Sequence, residues 1–157
     1  MMRTRVSILV LLAASLTAFV LATATPAAPA AKDETLDQLI ARVESARPED
    51  RPAIYLEIAR QEAETADHLY KDGNAEAGNA ALPAVVTFSK KATDASIETG
   101  KKLKNTEIAL RKMAEKFGDI KRTVAFEDQP PIQKTMDELE EMRTDLLSAM
   151  FGKKKSK

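Results

Sequence analysis

Apolar and polar positions alternate with helical spacing through most of this chain, and one stretch holds that spacing longest. With Leu82 at heptad position a, the letter recurs at Ser89, Ser96, Leu103, Leu110, Phe117 and Val124; position d falls at Val85, Ala92, Thr99, Thr106, Met113 and Ile120. A seam of that period belongs to a helix that packs against partners. Its first half, Ser89, Ala92, Ser96 and Thr99, is small and admits a close neighbour, while its second half is built from Leu, Met, Phe and Ile. Most charges of the stretch fall at b, c and f, away from the seam, so the helix is amphipathic. Ser96 and Leu103 keep phase across Gly100, which argues for one helix over about 75–126. Pro83 should either kink that helix or mark its start.

Shorter stripes flank it. Asp33 to Ala46 carries Leu36, Leu39, Ile40 and Val43 on one face, with Asp33 or Thr35 placed to cap it. Pro48-Glu49-Asp50-Arg51-Pro52 breaks the pattern. From Pro52 to Lys71 the residues Tyr55, Ile58, Ala59, Ala63, Ala66, Leu69 and Tyr70 recur at helical spacing, and Asp72-Gly73-Asn74 ends the run. Gly73 suits the left-handed position after a helix and Asn74 the cap of the next. After Glu127-Asp128-Gln129-Pro130-Pro131, the residues Ile132, Met136, Leu139, Met142, Leu146 and Met150 form a last stripe that stops near Phe151-Gly152.

Together these predict an all-α fold: an antiparallel helical bundle on one long central helix, about 75–126, with shorter helices packed along it. At about 1.5 Å per residue the spine would be roughly 75 Å long and each neighbour near 30 Å, so each covers one half. A bend near Gly100 would instead fold the spine into a four-helix bundle. Charge favours the pairing in either case. Lys90 to Arg122 holds 10 basic and 5 acidic residues, whereas Pro52 to Asp72 holds 2 and 5, and Glu127 to Asp145 holds 2 and 7.

Composition narrows the chemistry. The 157 residues include no cysteine, which removes disulfides, thiolate catalysis, cysteine-ligated zinc and c-type haem. Arg3 and Arg5 precede an uncharged run from Val6 to Leu21 and the small-x-small Ala22-Thr23-Ala24, the pattern of a secretory signal. The expected organisation is a signal peptide over 1–24, an Ala/Pro linker over 25–32, one helical domain over 33–152 and a basic tail over 153–157. The rival to cleavage is an uncleaved anchor. Removing Arg3 and Arg5 leaves 22 basic against 24 acidic residues, and four of the 22 are Lys153, Lys154, Lys155 and Lys157. A body that acidic is not a nucleic-acid binder.

Candidate chemistry is sparse. His68 is the only histidine. In size, compartment and helix content the chain resembles the periplasmic b-type cytochrome bundle, which would imply a haem on His68 and one of Met113, Met136, Met142 or Met150. The methionine stripe has helical spacing and reads as core, and Glu138, Glu140 and Glu141 read as a solvated face. The hairpin from Ile54 to Ala95, with Leu69-Tyr70, Gly73-Asn74, Ala77, Ala81 and Ala92, resembles one tetratricopeptide unit without its Trp or closing proline. It implies a peptide-binding scaffold, although no second copy follows at about 34 residues.

The expectation is an exported, non-catalytic interaction or structural component of the bacterial periplasm or cell envelope, holding no cofactor or metal. A protein partner or a second copy would dock where Ser89, Ala92, Ser96 and Thr99 leave the seam thin. Lys153, Lys154, Lys155 and Lys157 would add weak contact with an anionic surface. The alternative is a haem- or ligand-binding bundle.

Overall fold

A computed structural model of the chain describes residues 34–152, and the signal segment, Ala/Pro linker and basic tail expected from the sequence lie outside them. Regular structure among the described residues is entirely helical: α1 (Leu36–Ser45), α2 (Arg51–Lys71), α3 (Ala75–Thr99), α4 (Leu103–Thr123), a 3-10 turn (Phe126–Asp128) and α5 (Gln129–Phe151). Local chemistry sets most of these limits. Thr35 and Gln38 form a reciprocal capping box at the start of α1, and the Asn74 side chain accepts from the Ala77 N–H at the start of α3. Gly73 takes φ +77° between α2 and α3, as the residue after a helix often must. Asp50 and Asp128 occupy cap positions without a side-chain cap bond, and the prolines behind them supply helical φ.

The long spine is not continuous. α3 ends at Thr99, Gly100 turns left-handed at φ +66°, Lys102 does the same at φ +61°, and α4 starts at Leu103. Phase retention across Gly100 argued for a single helix. It holds equally for a reversal, because both arms then aim their seams into one core. Pro83 neither begins nor ends a helix, since α3 runs through it from Ala75, and the far limit is Thr123 rather than Phe126.

The bundle is assembled from two hairpins. α2 packs along α3 and α4 along α5, and the hairpins meet through α3 against α5 and α2 against α4. The main core joins Leu56, Ala59, Ala63, Ala66, Val85 and Ala92 of the first hairpin to Leu110, Phe117, Ile132, Leu139 and Leu146 of the second. The α1 helix closes one flank with Leu39 over Ile54 and Ile58, with Phe88 of α3 packed against them. That cover explains why Ile54, which lies off the stripe read in α2, is buried, whereas Leu56, also off that stripe, is buried in the main core. No described helix is long and apolar enough to cross a membrane.

Candidate functional site

The expected docking strip is inside the protein. Ser89, Ala92 and Ser96 are fully buried, so their small size serves close helix packing, while half-buried Thr99 lines an open groove with Arg51, Tyr55 and Glu98. The Ser96 and Thr106 hydroxyls share a hydrogen bond of 2.8 Å across the α3–α4 joint. Ser89 Oγ is the one buried side-chain polar atom among the described residues without a partner. His68 lies on the exposed face of α2, while Met113 and Met142 are buried. The structure does not bring an imidazole into the core beside the methionines. Glu140 and Glu141 are exposed on α5, and Glu140 is spent on Arg143.

Charged groups that the sequence pattern left among the solvated ones do gather between helices. Asp67 keeps only 6% of its surface exposed, accepts from Lys71 Nζ at 2.8 Å, and sits 3.5 Å from Lys116 Nζ of α4, which also pairs with Glu64. Burial alone would raise the Asp67 carboxyl. The Lys71 hydrogen bond and the Lys116 charge outweigh it and hold the group below the usual carboxylate range. One turn on, the Tyr70 hydroxyl donates to Asn79 Oδ1 at 2.6 Å, and burial, helped by the Asp128 charge, pushes its pKa up to about 12. On the other side of α4, Glu107 accepts from Arg143 of α5 at 2.7 Å. Lys121 of α4 donates to Gln133 of α5 at 2.6 Å.

In heptad terms Glu107 and Lys121 stand at e and Lys116 at g, the positions that flank a seam. That placement was the available signal, and bulk charge counts hid it. The Arg143–Glu107 pair even reverses the expected sense, with the cation on the acidic helix. An open groove of about 510 Å³ runs beside Asp67, Tyr70, Lys116 and Ile120. Its acids and bases are already matched to one another, which makes it a seam between α2 and α4 more than a receptor.

The ends of the bundle differ from the flanks. α5 runs antiparallel to α4, with Arg143 opposite Glu107. At the same rise per residue on both helices, that register sets Leu147 at the level of Leu103 and Phe151 at about the level of the Gly100–Lys102 joint. Phe151 is 75% exposed and Leu147 is also exposed. Lys101, Lys102 and Lys104 are all exposed at this same end. Lys71, Lys90 and Lys116 have carboxylate partners, whereas no ion pair among the described residues involves these three. In the sequence Gly152 is followed directly by Lys153-Lys154-Lys155-Ser156-Lys157. Along α3 and α5 the next acidic residues in sequence are Glu98 and Asp145, and the turn before α2, where Glu49 and Asp50 pair with Arg47, adjoins the end of α3 at Glu98 and Thr99. The opposite end mixes Asp72, Glu76, Glu127 and Asp128 with Lys71, Lys121 and Arg122, and Phe126 is exposed there.

No known protein family matches the chain, and no curated protein or solved structure is significantly similar to it.

Proposed function

We propose that this chain is the precursor of an exported, non-catalytic bundle of the bacterial cell envelope that rests one end against an anionic lipid surface. The observation that carries the reading is Phe151: a largely bare ring on the last turn of α5, set by the antiparallel α4–α5 register at about the level of Lys101 and Lys102 and followed in the chain by four lysines. An aromatic ring among cations suits the boundary between acyl chains and headgroups. Each lysine near such a surface contributes ~1 kcal/mol, and the ring adds apolar area. Export is supported by the Arg3-Arg5 start, the uncharged run behind it and Ala22-Thr23-Ala24. A non-catalytic role is supported by the use of the polar groups between helices, where Asp67, Lys116, Glu107 and Arg143 each tie one helix to the next.

The test is co-sedimentation of the chain from Thr25 onward with vesicles of phosphatidylcholine alone or mixed with phosphatidylglycerol. Binding should need the anionic lipid and weaken with salt. It should fall roughly 10- to 100-fold in a Lys101→Glu, Lys102→Glu double variant, as two lost lysine contributions require. Equal partition onto neutral vesicles, or a full-strength Phe151→Ala variant, would overturn it.

A further inference from the structure

The joint between α3 and α4 is short and carries an unusual backbone. It has three residues, and two of them, Gly100 and Lys102, hold positive φ. Lys102 is the one non-glycine among the described residues to do so, and the left-handed region disfavours a side-chain-bearing residue about 5- to 30-fold. The seam on either side, Ser96 at a and Leu103 at a, is already in phase for a single helix. In that helix Gly100, Lys101 and Lys102 would fall at e, f and g, outside the seam.

The packing points the same way. α3 rests chiefly on α2 and α5, and α4 chiefly on α5 and α2, while α3 and α4 touch each other least of these pairs. Straightening the joint therefore preserves each hairpin whole. It removes the α3–α5 and α2–α4 interfaces and the Ser96–Thr106 hydrogen bond within one chain. A second copy, opened in the same way, presents the same surfaces and restores all three.

We propose that residues 100–102 are a hinge through which two copies of this chain exchange hairpins, with α3 and α4 of each merging into one helix from Ala75 to Thr123. Short, strained hinges favour this exchange, and a second copy fits the exposed surfaces by construction. The open form is stabilised by release of the left-handed Lys102 and the closed form by the freedom of a monomer, so concentration sets the balance. The exchange is independent of the lipid contact, because a swapped dimer still carries Phe151 and the lysines at its α5 ends.

Substitutions at the two turn residues should act in opposite directions. Gly100→Ala removes the residue best suited to φ +66° and favours a straight helix, so it should raise the dimer constant about 5- to 30-fold per hinge. Lys102→Gly relieves the closed turn and disfavours the straight helix, so it should lower the constant by a similar factor. The readout is light scattering across a concentration series after refolding at high concentration. Spin labels at Glu76→Cys and Arg122→Cys, with labelled chain diluted into unlabelled, should then report about 70 Å within one chain of the isolated dimer. Dimer constants that move together or not at all, or a dimer whose label distance matches that of the monomer, would overturn the hinge.

Discussion

The two hairpins solve the same packing problem with different materials. α2 and α3 meet through Ala59, Ala63, Ala66, Ser89 and Ala92, with Gly78 under the Tyr70 ring; α4 and α5 meet through Leu110, Met113, Phe117, Leu139, Met142 and Leu146. In the first, small residues predominate and backbones come close, with Leu56, Ile58, Leu82 and Val85 as the larger buried side chains. In the second, large side chains interlock and there is much to lose. A small-residue interface should therefore fail when something is added, and a large-residue interface when something is taken away.

Truncation of Phe117, fully buried and the largest such side chain, tests the second hairpin hardest. Phe117→Ala should destabilise by about 3–5 kcal/mol in chemical denaturation. Enlargement tests the first. Ala92→Leu places a large group where no surface is exposed, and Gly78→Ala puts a Cβ 2.9 Å from the Tyr70 ring; each should cost about 1–3 kcal/mol. If enlargement were harmless in the first hairpin, the contrast would fail.

Titration sharpens the comparison at the point where the first hairpin meets α4. Tyr70 has a folded pKa above its ordinary value of 10.0, at about 12, so its contribution is complete below pH 10 and lost as pH rises toward 12. Tyr70→Phe should flatten that alkaline loss. Asp67 is depressed, so its contribution is present above the ordinary value of 3.8 and disappears as pH falls through the lower folded pKa. Asp67→Asn should remove that acid sensitivity, as read by thermal melts across pH 2–5.

The smallest effects separate two serines one heptad apart. Ser96 shares its hydroxyl with Thr106, so Ser96→Ala strands a buried group and should cost about 1 kcal/mol. Ser89 Oγ has no partner, so Ser89→Ala should stabilise by about 1 kcal/mol. The two variants together should nearly cancel.

The same two hairpins show which features local pattern can carry. The Gly73 turn, Asn74 cap and last stripe of α5 each depend on residues within one or two turns and were readable in the sequence, and Thr35 was one of its two cap candidates for α1. The break at Gly100 was not, because a heptad records which side of a helix faces a core and not whether the helix reverses. For the same reason Ser89, Ala92 and Ser96 looked like an open strip: their cover comes from helices distant in sequence. Asp67 was hidden by its Ala66 neighbour and by counting charges in bulk. Its position four residues after Ala63 and three before Tyr70 placed it on the inward edge of α2. The bare Phe151 beside Lys101 and Lys102 required knowing which helix ends meet.

The reversal at Gly100 can be measured directly, because a chain without cysteine accepts two thiols and no others. In the Glu76→Cys, Arg122→Cys variant, isolated as monomer and spin-labelled, the folded-back bundle predicts a distance of about 15–30 Å, set by helix axes spaced 8–10 Å apart. A distance near 70 Å in that monomer, the span of an unbroken helix, would contradict the fold described above.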